Sequence, residues 1–194
     1  TAALNVESRI FTLSPNPIPS EINFPEGTVY RAKSWLAPAS CDIGFIEAFR
    51  LFFKLSKWAD IIHYHFPWPF GDLLHLLCAK NVPAIITYHS DIVRQQFLGL
   101  LYKPLMNRTL NTVSAIIATS PAYAKTSKVL SRASIRKRLV IIPLGINEHS
   151  YSQSSDNNIL KRLKLDNNLP YFLFLGVLRY YKGIDTLLKA ATDV

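Results

Sequence analysis

Apolar residues fall along this chain in short unbroken runs, separated by longer stretches with helical spacing. Ile61-Ile62-His63-Tyr64-His65 lies between Asp60 and Pro67, and Ala84-Ile85-Ile86-Thr87-Tyr88 follows Pro83. Ala115-Ile116-Ile117-Ala118-Thr119, Leu139-Val140-Ile141-Ile142 and Tyr171-Phe172-Leu173-Phe174-Leu175 have the same character. Short β-rich runs bounded by turn residues predict strands, and their lack of alternation predicts cover on both faces. Between them, residues 43–58 carry Ile46, Phe49 and Phe53 at helical spacing, and residues 71–80 carry Leu73, Leu74, Leu76 and Leu77. Residues 92–112 place Val93, Phe97, Leu100 and Leu101 on one face, with Pro104 as a kink or break. Residues 121–131 start at Pro121, a favoured first-turn residue, behind Ser120 as a cap.

Strand–helix alternation at this spacing predicts an α/β fold with a parallel sheet and crossover helices. Such sheets bind ligands beyond the carboxyl ends of their strands. Polar residues gather there: His63 and His65 end one run, His89-Ser90-Asp91 the next, Thr119-Ser120 the third and Pro143-Leu144-Gly145 the fourth. Residues 147–158 are polar, rich in Ser, Asn and Asp, and aperiodic, which marks a linker. The organisation expected is a first domain over 1–146, a linker with a short helix around Leu160, Leu163 and Leu165 over 147–168, and the beginning of a second domain over 169–194. One strand and one helix cannot bury their own faces, so the last segment joins the first sheet or belongs to a domain not present here.

Composition narrows the class. Of the 194 residues 49% are hydrophobic and 18% charged, which is globular rather than disordered. The formal net charge of +9 favours anionic partners. Its densest clusters, Arg132 with Arg136, Lys137 and Arg138, and Lys161 with Arg162 and Lys164, also read as solvated helix ends. Cys41 and Cys78 lack metal or redox spacing, and Cys78 reads as a buried thiol. No stretch approaches the roughly 20 apolar residues of a membrane span, and Glu7, Arg9, Pro15, Pro17 and Pro19 argue against a signal peptide. A cytoplasmic protein is expected, with peripheral contact at the inner face of the plasma membrane left open.

Dinucleotide, P-loop and nucleophile-elbow signatures are absent. His63 and His65 lie two apart on a strand and share a face. With His89 and Asp91 they suggest a metal set; alternatively one lines a cleft and the other bonds within the sheet. His89 stands where a strand ends, within reach of a substrate hydroxyl or phosphate, while Asp91 reads as a site residue or a cap of the next helix. In Gly176-Val177-Leu178-Arg179-Tyr180-Tyr181-Lys182-Gly183 a glycine ends a buried run and a Lys-Gly pair opens a helix. Such a segment holds a diphosphate or is simply a basic loop.

In order along the chain, Asp60-Ile61-Ile62-His63-Tyr64-His65-Phe66-Pro67, Thr87-Tyr88-His89-Ser90-Asp91, Ile116-Ile117-Ala118-Thr119-Ser120-Pro121, Val140-Ile141-Ile142-Pro143-Leu144-Gly145-Ile146-Asn147 and Phe174-Leu175-Gly176 through Tyr181-Lys182-Gly183-Ile184-Asp185-Thr186-Leu187 resemble the retaining family 4 glycosyltransferases of the GT-B fold. The resemblance covers residues 60–190 and rests on order and spacing more than on any one motif. It implies two Rossmann-like domains across a cleft, the first holding the acceptor and the second, here truncated, the nucleotide sugar. It implies transfer of a hexose such as mannose from a GDP- or UDP-sugar to a lipid-linked or polysaccharide acceptor, with no metal and no nucleic acid. His89 would then be catalytic, and His63, His65, Asp91, Ser120 and Gly145 would line the acceptor cleft. Gly176, Arg179, Lys182 and Gly183 would hold the donor diphosphate.

Three departures stand out. Val177 occupies the place where the family often has arginine, so Arg179 is expected to substitute. The family's first strand and glycine loop would lie before Thr1, and its paired glutamates beyond Val194. A fragment with little activity by itself is therefore expected. Two other readings stand beside this one: a metal-dependent hydrolase built on His63, His65, His89 and Asp91, and a non-catalytic domain that binds glycans or anions.

Overall fold

The computed structural model describes residues 4–38, 41–92, 96–145, 162–165, 171–178 and 182–192. The chain divides into two compact units, Thr1–Gly145 and Ile146–Val194. The first unit holds two sheets. In the four-stranded one, β4 (Ile62–Phe66), β5 (Ala84–Tyr88), β6 (Ala115–Ala118) and β7 (Leu139–Ile141) lie side by side in chain order, all parallel. This is the α/β parallel sheet the sequence predicts, with each strand within a residue or so of its apolar run.

A second sheet precedes it and was not foreseen. β1 (Arg9–Ser14) pairs parallel with β3 (Gly27–Lys33), and β2 (Glu21–Phe24) pairs antiparallel with β3. Its strands mix charged and apolar residues, as in Gly27-Thr28-Val29-Tyr30-Arg31-Ala32-Lys33, so no apolar run announces them. Pro25-Glu26 makes the tight turn between β2 and β3. Gly27 is obligatory there: its φ is +151°, and a Cβ would come within 2.3 Å of the Ser8 carbonyl oxygen.

The crossover helices follow the pattern with local differences. α1 (Ile46–Trp58) buries Ala48, Phe52, Leu55 and Ser56. Its inward stripe is thus rotated from the one read off the sequence, leaving Ile46 and Phe53 exposed. Glu47 in its first turn and Lys57 in its last suit the helix dipole. α2 (Pro69–Leu74) runs on into a π-helical stretch, His75–Ala79, and buries Phe70, Asp72, Leu74 and His75. Cys78 in that stretch is half-buried rather than buried, and burial still raises its thiol pKa. α3 (Gln96–Thr112) passes straight through Pro104 as one helix. Leu100, whose carbonyl loses its usual donor to the proline, is exposed, so water can take that place. α4 covers only Pro121–Thr126, where the pattern suggested 121–131, and α5 (Ala133–Arg136) follows a turn. Two arginines of the basic cluster bind protein: Arg132 donates to Asn107 Oδ1 at 2.6 Å and Arg138 to the Val113 carbonyl.

Layered side chains hold this unit together. Ile86, Tyr88, Ile116, Leu74 and Leu110 are fully buried at its centre. Phe66 stacks on Tyr88 at 4.4 Å between ring centroids. Each such side chain contributes about 1.5–3 kcal/mol by leaving water.

The second unit corrects one expectation. Tyr171–Leu175 forms no strand, and all its apolar side chains but the half-buried Phe174 lie open, Phe172 89% exposed and Leu175 91%. No described strand lies beside it, and without a neighbouring strand a ladder of backbone hydrogen bonds cannot form. α6 (Ile184–Ala190) follows, with Gly183 at its N-cap in the left-handed region at φ +68° and no buried residue.

Candidate functional site

Parallel pairing fixes which side chains meet. His65 lies opposite Thr87, and Phe66 opposite Tyr88. The His89 N–H donates to the Phe66 carbonyl at 3.0 Å, carrying the ladder one step past β5. Strand alternation then sorts the residues: His63, His65, Thr87 and His89 share one face, while Tyr64, Phe66, Ile86 and Tyr88 fill the other and are buried.

The polar face is a row of imidazoles. His63 Nε2 lies 2.7 Å from Thr87 Oγ1, and His65 Nδ1 lies 2.9 Å from His89 Nε2. The His63 and His65 rings stack at 4.8 Å between centroids, and those of His65 and His89 at 5.2 Å and 9° from parallel. Burial lowers the pKa of His63, and the nearby His65 and His89 lower it further. His65 is lowered by burial first and by His89 second. Both rings are therefore neutral at neutral pH, able to donate on one nitrogen and accept on the other.

The metal set is not assembled. Among the described residues no group of three His, Cys, Asp or Glu side chains could hold a metal ion. His65 and His89 turn nitrogens on each other. Asp91 accepts from the Tyr88 hydroxyl at 2.8 Å and from Ser127 Oγ at 2.9 Å. Through those two bonds Asp91 ties the end of β5 to the turn after α4; residues 93–95, between it and Gln96 of α3, lie outside the described residues. Tyr88 lies inside a motif that does not single it out, and Ser127 lies in none, because its part comes from contact across the fold. Ser120 behaves as the cap read from the sequence, its Oγ accepting from the Tyr123 N–H at 3.1 Å. Gly145 ends the first unit, exposed and with no described residue beyond its chain neighbours within 4 Å of where a Cβ would stand.

His63 and His65 also border a cavity of about 740 Å³. Successive residues Arg9 to Leu13 line one wall and Ile61 to His65 the other, so it lies along the free edges of β1 and β4. Phe52, Leu55 and Trp58 of α1 add an apolar wall. Of the expected diphosphate residues, Gly176, Lys182 and Gly183 lie in the second unit and Arg179 lies outside the described residues.

Residues 1–150 match the family model described as Glycosyltransferase Family 4. The chain belongs to this family. Two curated relatives agree with the assignment. This family 4 chain is 41% identical to D-rhamnosyltransferase WbpZ of Pseudomonas aeruginosa over 185 residues, covering 95% of the chain and 48% of the relative. It is 36% identical to O-antigen chain mannosyltransferase C of Escherichia coli over 190 residues, covering 98% of the chain and 50% of the relative. The chain thus spans about half the length of these relatives. The fold class and family inferred from the five motifs are those found.

A buried acid near this site carries no motif either. Asp72, in the first turn of α2, accepts a hydrogen bond from the Tyr102 hydroxyl of α3. Burial pushes its carboxyl up to about 7, against the lowering effect of the Tyr102 bond. Beside it the Tyr64 hydroxyl lies 3.2 Å from His75 Nδ1, and His75 Nε2 lies 2.9 Å from Thr112 Oγ1. These pairs satisfy polar groups where α2 and α3 pack over the sheet.

Proposed function

We propose that the polypeptide carrying this chain transfers a hexose, mannose or a close relative, from a nucleotide sugar to a lipid-linked or polysaccharide acceptor, with retention of configuration. Family membership supports glycosyl transfer, and the names of the two relatives support mannose-like sugars and an O-antigen acceptor. The observation that carries the reading is His89, exposed beyond the carboxyl end of β5 and backed by His65. An imidazole there meets a sugar hydroxyl as donor or acceptor. In this reading Lys182 and Arg179 hold the departing diphosphate, and no metal ion is required.

The test uses the whole polypeptide, GDP-mannose or UDP-hexose labelled in the sugar, and extracted lipid-linked acceptor. Label should enter the acceptor with chelator present, and His89→Ala should lower kcat/KM by about 100-fold, the scale of one lost acid–base or positioning group. Unchanged turnover in His89→Ala would remove it from the reaction. A strict need for divalent metal would count against the diphosphate assignment.

The acceptor also suggests where the protein works. Leu98, Leu100 and Leu101 are exposed on α3, with Lys103 beside them. This apolar and basic stretch suits an anionic membrane surface. Cosedimentation with phosphatidylglycerol vesicles at low salt, lost in Leu100→Glu/Leu101→Glu, is the expected result. Equal pelleting of the double variant would exclude this surface.

A further inference from the structure

The contact between His65 and His89 has only one proton to share. Between two uncharged imidazoles, the 2.9 Å approach of His65 Nδ1 to His89 Nε2 needs one nitrogen bare and the other protonated. Two arrangements satisfy it. If His65 donates, its proton sits on Nδ1, and His89, bare at Nε2, must also carry its proton on Nδ1. If His89 donates from Nε2, His65 is bare at Nδ1 and carries its proton on Nε2. The second arrangement leaves both rings in the Nε2–H form, the intrinsically favoured neutral tautomer of imidazole side chains. The first forces both into the less favoured one.

We propose that His65 is a positioning residue for His89: it accepts the His89 Nε2–H on its own Nδ1, fixing the ring plane and leaving His89 Nδ1 as a bare acceptor. The surroundings support this assignment. Among the described residues nothing bonds His89 Nδ1, and the backbone of His89 is pinned to Phe66. Stacking of His65 between His63 and His89 restricts its rotation, and His63 is itself tied to Thr87. The row from Thr87 through His63 to His65 is thus a rigid backing that selects one face and one tautomer of the ring in front. In the transfer reaction proposed above, on which only this last clause depends, the bare Nδ1 would accept a hydroxyl proton from a bound sugar.

The experiment is long-range ¹H–¹⁵N correlation on the chain with ¹⁵N-labelled histidine at about pH 8, above the ordinary histidine range. The expected spectrum has His89 with unprotonated Nδ1 and protonated Nε2, in one tautomer, and His65 likewise. His65→Asn places an amide oxygen where Nδ1 was and should preserve that pattern. His65→Leu removes the acceptor and should give His89 nitrogen shifts averaged between tautomers. A His89 protonated on Nδ1, or averaged already in the native chain, would overturn the proposal, as would a His65→Leu spectrum identical to the native one. If His65→Leu does not fold, the native and His65→Asn spectra still decide. No sugar donor enters this measurement, so failure of the transferase reading leaves its outcome standing.

Discussion

Ala84-Ile85-Ile86-Thr87-Tyr88 and Tyr171-Phe172-Leu173-Phe174-Leu175 look alike in the sequence, yet one is the core of a sheet and the other is not a strand. Ile86 and Tyr88 are 0% exposed, whereas Phe172 and Leu173 are each 89% exposed. The difference lies in their neighbours. β5 has β4 on one side, β6 on the other and α2 and α3 over one face, while Tyr171–Leu175 has no described strand beside it. An apolar run therefore marks what a segment needs, and only pairing and cover turn the need into stability.

The comparison is broken most directly by truncating both runs. Ile86→Ala should cost about 3–4 kcal/mol in urea unfolding, since it opens a cavity in a fully packed layer. Phe172→Ala should cost no more than about 0.5 kcal/mol. A loss of several kcal/mol at position 172 would show that the second run is packed in solution.

A second contrast lies within the first unit, between its buried acid and its exposed imidazoles. Burial raises the Asp72 carboxyl from the ordinary carboxylate range to about 7, so the folded protein holds a proton that the unfolded chain releases. Its contribution is present below the unfolded value and lost as pH rises through about 7. Asp72→Asn keeps an acceptor for Tyr102 and should raise stability by about 2 kcal/mol at pH 8 but hardly at all at pH 4. Equal melting shifts at both pH values would show that Asp72 is not held protonated.

Smaller is the cap. Ser120→Ala should cost about 1 kcal/mol, while Ser120→Asp should restore most of it. Smallest and opposite in sign to Asp72 are His63 and His65, whose lowered pKa values favour the neutral rings in the folded state. Their contribution is whole above the unfolded histidine pKa and is lost as pH falls through the lowered folded values. His63→Gln, which retains a partner for Thr87, should flatten the acid side of the stability–pH curve. An unchanged slope below pH 6.5 would remove His63 from that balance.

Much of the molecule was legible beforehand. The four parallel strands showed because a strand covered on both faces must be apolar throughout, and their carboxyl ends showed because polar residues follow each run. The β1–β3 sheet was hidden because strands such as Arg9–Ser14 mix polar and apolar residues within six positions. The inward stripe of α1 was displaced because several faces of that helix are apolar, and packing chose Ala48, Phe52 and Leu55 over Phe53.

The site divides in the same way. His63, His65, His89 and Asp91 stood out by residue type and by their place at strand ends. Their partnerships were decided across the fold: parallel register set His65 opposite Thr87 and brought His89 onto the same face. Ser127 reached Asp91 from a distant turn, and Tyr102 reached Asp72 from another helix. By itself the sequence determined the class of fold, the family and the edge of the sheet where the chemistry gathers, because those follow from local pattern. Only the tertiary structure decided which nitrogen faces which and which acid is buried, because hydrogen bonds and desolvation depend on groups that the chain brings together from far apart.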